Sequence, residues 1–246
     1  MDTRMIEELS QNHWQSLSTL LYDGWVLRFA DGYTKRANSI NPLYGSTVDW
    51  ERKLEACEKL YAEQQLHPTF KITPFVQPEK LDDFLEQKGY ALVDPTSVQV
   101  AKLDTVIRPA GSRVTIDEAV QDDWIENVCR LNQVEDKHRD TMKRMLSNIR
   151  TKRAFVSLYH DEQVIACGLG VVERGFIGLY DIVTDARFRN KGYGKQLVGH
   201  LLYWGKEHGA AYSYLAVLRN NAPALRLYAN MGYSEVYSYW YRVKKD

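Results

Sequence analysis

The chain has 246 residues, 44% of them hydrophobic and 26% charged, which is material for one large folded domain or two small ones rather than for a disordered or fibrous chain. Lys+Arg and Asp+Glu balance at 32 each, so the net charge is zero; this argues against a dedicated nucleic-acid binder and leaves room only for a local basic patch. No apolar run approaches the roughly 18 residues of a membrane helix, the first residues are not those of a signal peptide, and Cys57, Cys129 and Cys167 lie too far apart for a metal site; reduced thiols in a cytoplasmic protein with no membrane partner are expected.

Residues 4–20 are predicted as a short helix with Met5, Ile6, Leu9, Trp14 and Leu17 on one side, closed by Gly24. Residues 25–30 alternate loosely and read as a strand, Asp31-Gly32 as a hairpin turn, and residues 35–41 as the returning strand. Asn41-Pro42 breaks it, and Ser46 or Thr47 caps a helix over about 48–66. Residues 69–73 form a short strand, Pro78 opens a helix that Gly89 terminates, and residues 91–103 supply one or two strands. Arg36, Asn38, Ser39 and Asn41 make a polar cluster that faces either a pocket or the solvent side of an edge strand. The stretch 104–112, with Pro109 and Gly111, is the best linker.

The second half opens with a strand near 113–116 and two helices over 120–132 and 138–150. A hairpin of residues 153–159 and 163–172 follows, then a strand over 175–183, a helix from about 191 to Gly209, and a strand over 212–217. Asn220 or Asn221 caps the last helix, Pro223 sits in its first turn, Gly232 closes it, and residues 235–243 form a tyrosine-rich strand. The helix ending Lys88-Gly89-Tyr90 parallels the one ending Met231-Gly232-Tyr233, a weak internal repeat whose first copy has no basic Gly-x-Gly loop.

That loop carries the chemistry. Between the 175–183 strand and the following helix, Arg187, Arg189, Lys191 and Lys195 surround Gly192-x-Gly194. Unpaired N–H groups at a helix start, the helix dipole and close backbone approach at glycine together suit a phosphate or pyrophosphate, whereas the bland alternative is a solvated strand-to-helix connection. The dinucleotide fingerprint fails because position 197 is Leu, and the Gly-Lys-Ser/Thr of a P-loop is absent. The scattered histidines His160, His200 and His208 have no metal-ligand spacing.

Arg189-x-x-Gly192-x-Gly194 after a strand ending Val-Thr-Asp resembles the acetyl-CoA signature of the GNAT N-acetyltransferases. A second motif, Asn221, Ala224, Tyr228, Gly232 and Tyr233, is similar to that family's Asn-x-x-Ala-x-x-x-Tyr-x-x-x-Gly-Phe pattern. The resemblance spans 113–246. It implies an α/β (α+β) fold with a mixed, mostly antiparallel twisted sheet flanked by helices, in tandem: residues 1–105 a degenerate GNAT-like domain, 112–246 the catalytic one. It implies acetyl-CoA as co-substrate and no metal. The pantetheine arm would pair with Ile182 and Val183, opposite Val217; Arg189, Asn190, Lys191, Gly192, Tyr193, Gly194 and Lys195 would hold the pyrophosphate; and Asn221 would contact the arm. Tyr228 would help bind the cofactor and protonate the departing thiolate.

Where some family members carry a strand glutamate, this chain has Gly178, and Asp181 is the nearest replacement base. A lone acid in an apolar strand has either a raised pKa and a catalytic role, or a solvent or cation partner; Tyr180 and Glu173 are lesser candidates. Tyr237, Tyr239, Trp240 and Tyr241 line an acceptor pocket or pack on both strand faces. The expected activity is acetyl transfer to a small-molecule primary amine. The alternatives are a protein or peptide amine, or a non-catalytic acyl-CoA-binding module.

Overall fold

A computed structural model describes residues 2–111 and 113–244. In chain order its elements are α1 (Thr3–His13), β1 (Ser18–Tyr22), β2 (Trp25–Phe29), β3 (Ile40–Pro42), α2 (Trp50–Glu63), β4 (Thr69–Ile72), α3 (Leu81–Gln87) and β5 (Ala91–Lys102). After the 104–112 connection come β6 (Val114–Asp117), α4 (Asp122–Asn132), α5 (Arg139–Ser147), β7 (Lys152–His160), β8 (Gln163–Glu173), β9 (Phe176–Thr184), α6 (Tyr193–Glu207), β10 (Tyr212–Leu218), α7 (Ala222–Ala229) and β11 (Ser234–Val243).

Three expectations for the first half need correction. The helix predicted over 4–20 stops at His13, because Asp23 and Gly24, at φ 42° and 84°, form a tight turn that folds residues 18–22 against β2 as a strand. The returning strand predicted over 35–41 is a 3-10 turn, Lys35–Ala37, followed only by the short β3. The cap of α2 is Asp49, whose carboxylate accepts from Glu51 N and Arg52 N, rather than Ser46 or Thr47. The second half keeps its predicted order, with Asn221 Oδ1 accepting from Ala224 N at the start of α7.

All eleven strands join one sheet in the order β1-β2-β3-β4-β11-β5-β10-β9-β8-β7-β6. Among the described residues, only β3/β4 and β9/β10 pair in parallel. The sheet is therefore mixed and mostly antiparallel, and it is nearly symmetric about the β11/β5 pair. On one side β4, β3, β2 and β1 follow; on the other, β10, β9, β8 and β7. Helix α2 crosses between β3 and β4 as α6 crosses between β9 and β10, a long connection that parallel pairing requires. The two halves also interleave: β11, the last strand, lies between β4 and β5, while β5 lies between β11 and β10.

Apolar side chains fill both faces. One core packs α1, α4 and α5 against the sheet around Ile6, Leu9, Trp14, Val128, Met142 and Tyr180. A second packs α6 and α7 on the opposite face around Leu197, Leu201, Val217 and Tyr228. A third, around Trp25, Tyr61, Phe70 and Leu85, holds α2 and α3. No helix among the described residues is long and apolar enough to cross a membrane.

Candidate active site

The pairing of β9 with β10 covers Phe176–Leu179 against Tyr212–Leu215 and then ends. Beyond that point β9 stays paired to β8 as far as Thr184, and β10 stays paired to β5 as far as Leu218. The two strands therefore splay, and the β10-facing edge of β9 from Tyr180 onward has no strand beside it. Ile182 and Val183 lie on that edge, and Val217 on the facing strand. An edge of unpaired backbone groups can accept an extended amide-bearing ligand as an added strand.

Asp181 lies two residues beyond the end of the β9/β10 pairing, where the strands begin to splay. Its φ is +49°, and the β8/β9 register shifts opposite Gly168. Such a bulge places two consecutive side chains on one side of the strand. Tyr180 packs in the α1/α4 layer, and Asp181 acts on Tyr33, Arg36 and Cys129 in that same layer, whereas Ile182 returns to the α6 side. The Asp181 Oδ2 is buried without a hydrogen-bond partner. Desolvation pushes its pKa up to about 6, against the opposing pull of the Arg36 charge.

At the far end of β9 the chain enters the basic loop. Asp185 is held by the Arg187 side chain at 2.8 and 3.1 Å, which draws its pKa down to about 2, so Arg187 is neutralised locally. Arg189 Nε donates to Thr184 O at 3.2 Å, while Lys191 and Lys195 stay exposed. Asn190 and Gly192 take φ of 60° and 85°, a turn that favours glycine. Helix α6 begins at Tyr193 with no side chain capping it, and the first intrahelical bond is Gln196 N to Gly192 O at 3.1 Å. The N–H groups of Tyr193, Gly194 and Lys195 thus lack intrahelical acceptors. Nothing stands within 4 Å of where a Gly192 Cβ would project. The Tyr193 ring turns away to His160, 3.0 Å from its hydroxyl, so Tyr193 offers the cleft only its backbone.

The equivalent corner of the first half is already filled. Ahead of α2, the Asp23 carboxylate accepts from Ser46 Oγ, Thr47 N, Thr47 Oγ1 and Val48 N at 2.8–3.1 Å. These donors hold its carboxyl well below the usual range, the Val48 N–H foremost. A carboxylate of the chain stands where an external anion would otherwise bind.

Tyr228 approaches from the opposite face. It is buried beside Val217 on the inward side of α7, its ring 5.6 Å from Tyr233. Burial alone acts on its hydroxyl and pushes the pKa up to about 12. Asp181 and Tyr228 thus flank the cleft from its two sides, while Asn221 is spent in part as the α7 cap.

A cavity of about 370 Å³ is lined in part by Ala216 and Leu218 of β10, the residues on either side of Val217. Its other walls come from residues 32–36, from Asp94 and Thr96 of β5, and from Tyr239 and Tyr241 of β11. The polar cluster on the returning segment divides. Arg36 lines the cavity, whereas Asn38 bonds the Ala30, Gly32 and Thr34 backbone and Asn41 bonds Ser39 and Val26. The C-terminal aromatics divide too. Tyr237 donates to buried Glu7, which pairs with Lys71, and Trp240 donates to Asp82.

Sequence reasoning named Tyr180 and Glu173 but missed Tyr214 and His13, which link them into one chain of groups. The Tyr180 and Tyr214 hydroxyls lie 2.7 Å apart, Tyr214 OH lies 2.8 Å from His13 Nδ1, and His13 Nε2 lies 3.2 Å from Glu173 Oε2. Tyr214 and His13 occupy the space a side chain at Gly178 would need, at 2.7–2.8 Å from its Cβ position. Glu173 is committed to this chain and to Asn12.

Comparison with known proteins places this arrangement in context. Residues 1–242 match a family model described as "Probable histone acetyltransferase Rv0428c C-terminal". The chain is 29% identical over 248 residues to the "Uncharacterized N-acetyltransferase YobR" of Bacillus subtilis (strain 168), covering 99% of both. Among solved structures it resembles a GCN5-related N-acetyltransferase from Kribbella flavida, with a TM-score of 0.73, 14% identity and coverage of 99% and 95%. It also resembles a tandem GNAT protein from the clavulanic acid biosynthesis pathway, with a TM-score of 0.65, 14% identity and coverage of 98% and 89%.

Proposed function

The chain belongs to the Rv0428c C-terminal acetyltransferase family, within the GNAT superfamily of N-acetyltransferases, and from that premise we propose that it transfers an acetyl group from acetyl-CoA to the primary amine of a small molecule. One observation carries this reading: the open β9 edge runs from Asp181, whose Oδ2 is buried and unpartnered, into the uncapped start of α6. The residues suit the co-substrate. The free edge at Ile182 and Val183 would take the pantetheine arm, and the backbone from Arg189 to Lys195 its pyrophosphate. Bound there, acetyl-CoA supplies an activated acyl carbon.

Asp181 accepts the proton that an ammonium must shed before its nitrogen can bond that carbon. The β9 edge near Val183 offers an N–H to the carbonyl oxygen. Tyr228 offers its hydroxyl proton to the sulfur as the carbon–sulfur bond breaks and the carbon–nitrogen bond forms, and the second proton that the acylated nitrogen sheds restores the Tyr228 hydroxyl. We assign residues 112–246 as the catalytic GNAT unit and residues 1–105 as a degenerate copy whose cradle Asp23 fills. The cavity volume favours a small acceptor over a protein segment. All three cysteines are free and buried, which fits a cytoplasmic protein.

The test is thiol release from acetyl-CoA across a panel of small amines and short peptides. Tyr228→Phe is expected to lower kcat roughly 100-fold and acetyl-CoA affinity far less. An unchanged rate would remove Tyr228 from the chemistry, and no thiol release with any amine would leave an acyl-CoA-binding module.

A further inference from the structure

The cavity beside the cleft holds a cation that no carboxylate of the chain neutralises at contact distance. Lys35 and Asp94, also in its wall, pair with each other at 2.9 Å and cancel. Arg36 has no ion pair within 4 Å and no side-chain hydrogen bond among the described residues. It lies 4.9 Å over the Trp14 ring and 5.9 Å over that of Tyr180. Those rings are themselves fixed: they stack at 5.7 Å, and the Trp14 indole N–H donates to Thr34 Oγ1 at 3.0 Å. Arg28 anchors the 3-10 turn from behind by donating to Arg36 O at 2.6 Å, and Asn38 ties the preceding loop.

The guanidinium is thus presented as a rigid planar fork, the geometry that binds a carboxylate bidentately. A second group points the same way. Tyr241 is buried in the cavity wall, and its hydroxyl makes no well-formed hydrogen bond, with Tyr239 its neighbour there. The third unsatisfied atom is Oδ2 of Asp181, whose carboxyl is close enough to feel the Arg36 charge. A buried donor, a stacked cation and a buried carboxylate without hydrogen bonds are each costly unless a ligand completes them.

We propose that the acceptor is a zwitterion, a small α-amino acid or a close relative, whose carboxylate is held by Arg36 and Tyr241 while its amine faces Asp181. This rests on the acyl-transfer reading, since it names the acceptor of the same site. A simple monoamine or polyamine would leave Arg36 facing a second cation and Tyr241 unpaired. An amino acid complements both signs within the roughly 370 Å³ available.

The experiment compares the twenty common α-amino acids with their primary amides, which keep the amine and side chain and lose only the negative charge. Each is measured in two ways with the full chain. Direct binding is followed by calorimetry in the presence of CoA, and acetylation by thiol release from acetyl-CoA. At least one amino acid is expected to bind and react better than its amide by roughly 10- to 100-fold, the range for a charge-assisted pair. Arg36→Gln should collapse that ratio to near one with acetyl-CoA affinity retained, and Arg36→Lys should recover it only in part. Amides equal to or better than their acids, or a ratio unchanged in Arg36→Gln, would overturn the proposal while leaving acetyl transfer standing. Selective binding of an amino acid without thiol release would support the carboxylate site and count against the acyl-transfer reading instead.

Discussion

At Asp181 a positive φ, a register shift and a buried, unpartnered Oδ2 coincide. Burying a carboxylate this way has a thermodynamic consequence that can be measured apart from activity. Its pKa rises from the ordinary 3.8 to about 6 on folding, so the folded state binds the proton more tightly than the unfolded chain. The contribution of this one group to stability is then greatest below pH 4, falls as pH rises from about 4 to 6, and stays at the lower level above. Asp181→Asn is therefore expected to stabilise the protein by about 2–3 kcal/mol at pH 8, with the gain fading toward pH 4 in denaturant titrations. The same variant should lose the limb of the pH–rate profile in which activity climbs through about pH 6. A profile unaltered by the change would eliminate Asp181 as the base. Three residues earlier, at Gly178, no side chain could serve as a base: Tyr214 and His13 fill the space it would need.

At the scale of elements, α2 and α6 are two versions of one strand-to-helix connection with opposite treatments of the helix entrance. Before α6 the donors are left open; before α2 the Asp23 carboxylate takes them. Asp23→Ala should release the Thr47 and Val48 amides, and their hydrogen exchange should accelerate at least tenfold relative to strands β2 and β4. Protection that survives the change would mean that Asp23 does not close this corner. The α6 entrance was legible in the sequence because glycine, arginine and helical periodicity all act within a dozen residues. So was the α7 start, since Asn221 and Pro223 are local signals. Strand β1 was not, because its residues are exposed on the sheet edge and carry little apolar alternation; only Asp23-Gly24 marks the turn, and that pair was read as the end of a helix. The cavity was legible only in fragments. Arg36, Thr96, Ala216 and Tyr241 converge from four distant segments, and no local pattern announces convergence.

Across the whole molecule, the exchange of β5 and β11 makes the halves depend on each other. Residues 91–102 complete the sheet beside β10, and residues 234–243 complete it beside β4. The sequence order of strands suggested two copies in a row, and it could not reveal the exchange, because pairing partners some 140 residues apart leave no mark on local periodicity. The exchange also brings the first half's 32–36 loop to the cavity beside the second half's cleft. A fragment of residues 106–246 lacks β5, so β10 and β11 lose the strand between them. It is expected to show no cooperative thermal transition by circular dichroism, and to regain one when residues 1–105 are added. A fragment that melts cooperatively alone would show that the second half needs no partner strand.

The central claim is that the splayed β9 edge and the α6 entrance form an acyl-CoA site, and calorimetric titration with acetyl-CoA tests it most directly. The full chain is expected to bind at one saturable site. Gly192→Glu, which puts a carboxylate where the Cβ side of Gly192 is open and φ is +85°, should abolish binding while circular dichroism remains that of the folded protein. Undiminished binding in that folded variant, or none by the unaltered chain, would contradict the account.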